Sequence, residues 1–325
     1  MKIKIEKKEF DLKKPFVITG YTETTSSTVW LTLESGGYIG RGESLGIYYK
    51  DEDMDSMAAQ LEAITSSITD DLTFEQVQEM LPYGGARNAL DCALWDLRAK
   101  QQSKSIWELL NITPKELSTV ATIGIDTPEN MAQEALDFQM YKNLKIKVSG
   151  EEPIARLEAI RAARPDASII IDVNQGWNFK ELKEYTPVCQ KLGIAMIEQP
   201  LPRGDDAELE GYKSSVALGS DESCLDSSEY ASSAARYDII NIKLDKCGGL
   251  TDGLKIVELA KADGKGLMVG NMTGTSLSMA PSYVIGQYCG FVDIDGPLFL
   301  KQDIENGLEY REGGIASIPT KELWG

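Results

Sequence analysis

The sequence contains no histidine. That removes the commonest general base, the Ser-His and Cys-His nucleophile pairs and most zinc-binding schemes, so any acid–base chemistry must come from Lys, Asp, Glu, Tyr or Cys. Cysteine is sparse: Cys92, Cys189, Cys224, Cys247 and Cys289 are odd in number, widely spaced and form no Cys-x-x-Cys pair. Reduced thiols are expected rather than disulfides or a zinc site. Cations are also short, with 33 Lys and Arg against 51 Asp and Glu and a formal charge of -18. This argues against nucleic acid or an anionic membrane as partner, because a phosphate-binding face needs clustered cations. No apolar run approaches bilayer length, and the opening Met1-Lys-Ile-Lys-Ile-Glu-Lys-Lys8 lacks the apolar segment of a signal peptide. A cytoplasmic location is expected.

What is present begins with a meander. Lys2 to Phe10 alternates, Ser27 to Glu34 is rich in β-formers, and Gly36-Gly37 turns the chain into Tyr38 to Glu43. Between the first two strands, the Gly- and Thr-rich stretch Phe16 to Thr25 is predicted to be a loop free to close over something. Helical patterns follow at Met54 to Ile68, Thr73 to Met80 and Ala86 to Gln102. In the last, Ala86, Ala89, Leu90, Ala93, Leu94 and Leu97 share one face, with Asp91, Asp96, Arg98 and Lys100 around it.

From about Leu117 onward, eight short β runs alternate with predicted helices: Thr119 to Ile125, Leu144 to Val148, Ala167 to Val173, Ile194 to Glu198, Ala217 to Ser220, Ile239 to Leu244, Gly266 to Gly270 and Phe291 to Ile294. Their ends, from Lys147 to Asp293, fall 22 to 27 residues apart. A near-constant step with a helix inside each is what a (β/α)8 barrel requires, although a doubly wound sheet shares the grammar. The charges favour the barrel. In a barrel, strand ends carrying Lys147, Asp172, Glu198, Asp221 and Lys243 converge on one mouth, whereas an open sheet strings them along an edge. The expected architecture is α/β: a TIM-like barrel over residues 116–300, capped by an α+β domain from residues 1–115 to which the segment 301–325 returns.

The chemistry follows from that convergence. Asp172, Glu198 and Asp221 end consecutive strands, and three carboxylates without His or Cys suit a hard cation, Mg²⁺ before Mn²⁺ or Ca²⁺, with positions left open for substrate oxygens. Asn174 and Glu222 stand next to the ligands. Lys145 and Lys147 share a strand face, and Lys243 lies on the strand opposite. Near other ammonium groups and a divalent cation, a lysine's neutral, basic form is favoured. A substrate carboxylate on the metal, with Lys145 beside it, makes an enediolate accessible. With one base on each face, the α-proton can leave on one side and return on the other.

These residues resemble the enolase superfamily, in its muconate-lactonising subgroup. The resemblance covers nearly the whole chain, from Ala-Leu-Asp-Cys-Ala-Leu-Trp-Asp-Leu (Ala89 to Leu97) through Lys-Ile-Lys, Asp-Val-Asn, Glu-Gln-Pro and Ser-Asp-Glu-Ser to Asn-Ile-Lys. It implies Asp172, Glu198 and Asp221 as ligands of one Mg²⁺ per subunit, with Mn²⁺ as a substitute. Lys147 and Lys243 are implied as the two bases, and Lys145 as the group that polarises the carboxylate. Lys243 is preferred to Lys246 because it ends the apolar run.

Subgroup members include dipeptide epimerases, o-succinylbenzoate synthases, N-succinylamino acid racemases and cycloisomerases. Asp293 and Asp295, on one face of the eighth strand, suit an ammonium group better than a diacid. An Asp-x-Asp there looks like the mark of dipeptide epimerases. The resemblance therefore implies an isomerase that inverts the second residue of an Ala-X dipeptide. Family members acting on Ala-Glu are expected to present a cation from the capping loop, yet Phe16 to Thr25 carries none, so X is expected to be small or hydrophobic. Thr19, Tyr21, Met272 and Thr273 are the expected pocket residues, with Lys50 as the cation able to overturn that expectation. An N-acyl amino acid racemase or o-succinylbenzoate synthase is the alternative enzyme, and a non-catalytic ligand-binding barrel the alternative class. A homo-oligomer remains open.

Overall fold

The computed structural model describes residues 1–325. Three antiparallel strands, β1 (Lys2–Ile18), β2 (Tyr21–Ser35) and β3 (Tyr38–Leu45), form the capping sheet in that order. The stretch expected as a free loop is instead the end of a long hairpin. After a register shift between Asp11 and Phe16, Phe16 pairs with Glu23 and Ile18 with Tyr21. Only Thr19 and Gly20 turn, with Gly20 at φ +74°. The threonines that accompany the glycine are β-branched and extend the strands instead of breaking them.

Helices α1 (Met54–Ile64) and α2 (Phe74–Met80) start at capping boxes, Asp53 with Ser56 and Thr73 with Gln76. Helix α3 (Gly85–Gln101) then packs under the sheet. Strand β3 lies so close to it that a Cβ on Gly42 would stand 2.2 Å from the Ala89 carbonyl oxygen. Asp91 and Asp96 do not form a polar outer face. Both are buried, because α3 is sandwiched between the cap and the barrel. Asp91 accepts from Gln78 and the Thr251 amide, and Asp96 from the amides of Arg41 and Gly325.

After the short α4 (Ile106–Leu109) and β4 (Leu117–Ser118) come the barrel strands: β5 (Val120–Ile123), β6 (Asn143–Lys147), β7 (Ser168–Asp172), β8 (Ile194–Glu198), β9 (Ala217–Ser220), β10 (Ile239–Ile242), β11 (Gly266–Val269) and β12 (Phe291–Val292). They pair in parallel in sequence order, from β5 to β12. The seam between β12 and β5 has no ladder. There the Thr119 hydroxyl accepts from the Ile294 amide at 3.0 Å.

The two-residue period of each strand sorts its side chains. Leu144, Ile146, Ile169, Ile171 and Ile197 pack outward under the helices. Val120, Ile170, Met196, Ile239 and Met268 plug the barrel interior. Two residues above Ile170 and Met196 stand Asp172 and Glu198, with Thr122, Asn241 and Gly270 at the same level on three other strands.

Helices α5 (Pro128–Asp137), α6 (Pro153–Ala163), α7 (Phe179–Lys191), α8 (Tyr230–Ala234), α9 (Leu244–Cys247), α10 (Leu250–Asp263) and α11 (Ser276–Gly286) fill all but one connection. Between β8 and β9 there is only a single 3-10 turn, Ala207–Leu209, where a helix was expected. Pro200, Pro202, Gly204 and Gly211 break that segment. The chain ends with α12 (Gly296–Phe299), β13 (Tyr310–Arg311) and β14 (Ile315–Ala316). β14 pairs with β4, and Trp324 then donates to the Cys92 carbonyl of α3. No helix is long and apolar enough to cross a membrane, and all five cysteines are unpaired.

Candidate active site

The strand ends bring the predicted residues to one mouth. Carboxylate oxygens of Asp172, Glu198 and Asp221 lie within 4.8 Å of one another. Lys145 Nζ stands 2.8 Å from Glu198, 2.9 Å from Asp293 and 3.2 Å from Asp172. Lys147 Nζ is 2.6 Å from Asp172 and 3.0 Å from Asn174. Lys243 Nζ is 2.6 Å from Asp221. Lysines 147 and 243 sit on β6 and just past β10, four strands apart in an eight-stranded barrel, so they face each other across the mouth.

Lys246, which the sequence passes over in favour of Lys243, is fully buried in α9. It donates to Asp221 Oδ1 at 2.7 Å and to the carbonyls of Asp221 and Asn241. It props the triad from below and does not line the cavity, whereas Lys243 does.

Charge pairing sets the protonation. Burial opposes the Lys145 ammonium, but Asp293, Glu198 and Asp172 outweigh it and raise its pKa well above the lysine range. Lys243 is raised in the same way, burial being outweighed chiefly by Asp221. The sequence-based expectation of a neutral lysine counted a divalent cation on the triad. With the carboxylates turned on Lys145 and Lys243, the direction for these two is the opposite. Burial also works against the Asp221 anion, but Lys243 and Lys246 hold its carboxyl far below its usual range. Glu222 has no such partner. Burial, reinforced by Asp221, pushes it up to about 8.

The donor set fits Mg²⁺ on two grounds. It offers three carboxylates with no softer ligand, and Glu198 Oε2 is buried without a well-directed hydrogen bond despite the nearby ammonium.

Above the triad lies a cavity of about 480 Å³. Asp293 and Asp295 line one side, although the strand was expected to carry them and β12 stops at Val292. Asn271 donates to Asp293 at 2.9 Å, and Asp295 accepts from the Thr122 amide at 2.7 Å. Burial, then Asp293, raises the Asp295 carboxyl well above its usual range. Tyr21, Met272, Thr273, Asn174 and Glu222 all line the cavity.

Two expected pocket residues do not. The Thr19 hydroxyl is spent on the carbonyls of Val148 and Val173, pinning the hairpin tip to the strand ends. Lys50 turns away, with Nζ 3.5 Å from the Tyr83 ring centroid. Sequence reading missed Glu23, Tyr48 and Asn271, which also line the cavity. For Glu23 the signal was its spacing of two from Tyr21.

Two family models cover the chain. Residues 1–111 match the mandelate racemase/muconate lactonizing enzyme N-terminal domain, and residues 129–319 match the enolase C-terminal domain-like family. The L-Ala-D/L-Glu epimerase of Escherichia coli K12 is 38% identical over 316 residues, 96% of this chain and 98% of that protein. An enolase family member from Agrobacterium tumefaciens with homology to dipeptide epimerases, solved with sodium and L-Ala-L-Glu, superposes with a TM-score of 0.96. It is 39% identical, with 99% of each chain covered. A dipeptide epimerase from Enterococcus faecalis, complexed with Mg and L-Leu-L-Tyr, gives a TM-score of 0.90 at 26% identity, covering 97% of this chain and 96% of that one. The chain belongs to the enolase superfamily, among the mandelate racemase and muconate lactonizing enzymes.

Proposed function

We propose that this protein is a Mg²⁺-dependent dipeptide epimerase that inverts the α-carbon of the second residue of an Ala-X dipeptide. The observation that carries this reading is that Lys147 and Lys243 face each other across one cavity, with an acidic triad between them and Asp293 and Asp295 at its side. Asp172, Glu198 and Asp221 would hold the Mg²⁺, which when bound would supply Lewis-acid stabilisation to a carboxylate gathering negative charge.

The chain's own residues do the rest. Asp293 and Asp295 receive the N-terminal ammonium, fixing the dipeptide's direction. One of Lys147 and Lys243, in its neutral form, takes the α-proton. The other, as an ammonium, delivers a proton to the opposite face. Lys145 holds its charge beside the enediolate that forms between the two transfers. Asn174, which bonds Lys147, and Lys246, which bonds Asp221, keep these groups in register. The unpaired thiols suit a reducing compartment, and we place the protein in the cytoplasm.

The test is exchange. Incubated with Mg²⁺ and Ala-X dipeptides in D₂O, the enzyme should place one deuterium on the second residue's α-carbon. Absence of exchange across an Ala-X library would remove the proposal.

A further inference from the structure

Resting on the epimerase reading above, we infer that the preferred second residue carries a cationic side chain, lysine or arginine, and that Glu23 is the group that receives it. The carbon being inverted has four substituents, and the site leaves each one direction. Its hydrogen must lie on the line between Lys147 and Lys243. Its carboxylate is directed at the triad, and its amide nitrogen runs toward Asp293 and Asp295. The side chain is left with the remaining direction, out of the barrel mouth and into the hairpin.

The hairpin presents one face there. On β2, Tyr21, Glu23, Thr25 and Ser27 alternate and all line the cavity, as does Phe16, the partner of Glu23 across the strand pair. The Phe16 ring centroid is 6.0 Å from Lys147 Nζ, so this face lies directly above the reacting carbon. Glu23 is the only ionisable carboxylate or cation on it. Tyr21 stacks on Tyr48 with ring centroids 4.6 Å apart and 6° between planes, forming an aromatic wall beside the carboxylate.

No cation from the cap reaches this face. Lys50 is engaged by Tyr83, and the cavity's three lysines are each committed to a carboxylate below. Of the other acidic cap residues that line the cavity, Asp51 is exposed at the end of the turn Tyr48–Lys50 and off the β2 face, and the remaining two are occupied elsewhere. Glu52 accepts from the Gly85 amide at 2.9 Å, and Asp53 caps α1. Glu23 has the Thr273 hydroxyl and nothing positive. Burial raises its carboxyl, a cost that an incoming ammonium or guanidinium offsets. A glutamate side chain entering this space would meet a like charge with no counter-ion. A long aliphatic stem with a cationic end would lie along Phe16 and the tyrosine wall and finish at Glu23. The expectation of a small or hydrophobic X rested on the absence of a cation in the stretch Phe16 to Thr25, and it overlooked the anion.

The experiment compares kcat/KM for L-Ala-L-Lys, L-Ala-L-Arg, L-Ala-L-Leu and L-Ala-L-Glu, read as deuterium incorporation by the Mg²⁺-loaded enzyme and by Glu23→Gln. For the wild-type protein, Lys and Arg should exceed Leu by roughly 10- to 100-fold, the range of a charge-assisted hydrogen bond, with Glu the slowest. Glu23→Gln retains a hydrogen-bonding group for Thr273, yet should lower the Lys-to-Leu ratio roughly tenfold, a change that a purely structural latch would not produce. Wild-type turnover of Ala-Glu at or above that of Ala-Lys overturns the inference, as does an unchanged ratio in Glu23→Gln. Exchange on Ala-Leu or Ala-Glu without preference for a cation removes this inference alone. Silence on all four dipeptides removes the epimerase reading with it.

Discussion

Lys147 and Lys243 are held by the same motif, each with Nζ 2.6 Å from a different outer member of one carboxylate triad, Asp172 for the first and Asp221 for the second. The two lysines thus stand in matching carboxylate settings on either side of the carbon proposed to be inverted, so that either can serve as proton acceptor while the other serves as donor.

That symmetry predicts complementary defects. Lys147→Ala should lose proton abstraction from one epimer of the second residue, and Lys243→Ala from the other, each by roughly 10²- to 10⁴-fold. Single-turnover exchange in D₂O with each epimer separately checks this. Equal residual exchange on both epimers in either variant would mean that the two lysines are not the two bases.

Asp293 lies 2.9 Å from Lys145 as well as facing the cavity, so Asp293→Asn should slow every substrate through Lys145. It should slow a dipeptide further, by roughly 10- to 100-fold relative to an N-acyl amino acid, because only the dipeptide brings an ammonium. The ratio of the two kcat/KM values is the measurement. A ratio that stays constant would favour the N-acyl amino acid racemase alternative.

Removing the metal should stop exchange without unfolding the protein. Lysines 145, 147, 243 and 246 already neutralise the triad in its metal-free form, so a chelated sample should melt cooperatively. Adding Mg²⁺ at about 100 times its Kd should then stabilise it by about 2.7 kcal/mol. Calorimetry with and without chelator reads both, and loss of the cooperative transition on chelation would contradict this.

Glu43, on β3 of the cap, accepts from the Thr275 amide at 3.0 Å and from its hydroxyl, just ahead of α11 in the barrel. Burial raises its carboxyl from 4.5 to about 7. Between those values the unfolded chain has released this proton and the folded one retains it. Stability contributed by this group is therefore complete below pH 4.5 and lost as pH rises toward 7, on the order of 3 kcal/mol. Glu43→Gln should remove this slope, so the stability difference between wild type and variant should shift in the variant's favour from pH 4.5 to 7. A pH-independent difference in denaturant midpoints would refute the assignment.

The barrel and its charged mouth were legible because β-branched runs, each ending in a charge, are strong local signals repeated at a steady step. Three features were not. The Phe16 to Thr25 stretch has the composition of a loop, and only its pairing with β1 reveals that one glycine makes the turn while the threonines continue the ladder. Lys246 follows the site strand and precedes two glycines, so nothing in its neighbourhood indicates that its side chain folds back under Asp221. The missing helix after β8 replaces a periodic step of normal length, and the spacing of strand ends is blind to it. Each is decided by contacts between segments distant in sequence, where local propensity carries little weight.

The cap and the barrel are joined by hydrogen bonds buried on both sides. Glu43 reaches Thr275, and Asp245 accepts from the Leu45 amide and from Asn88. Swapping the cap for another would strand these groups without partners, at a cost that a marginally stable chain could not absorb. Near the hairpin tip, the outward half of β2 meets the barrel through Glu23 and the Thr273 hydroxyl. Substitutions along that single strand would therefore reshape the cavity wall while leaving intact the buried joint that aligns the two halves.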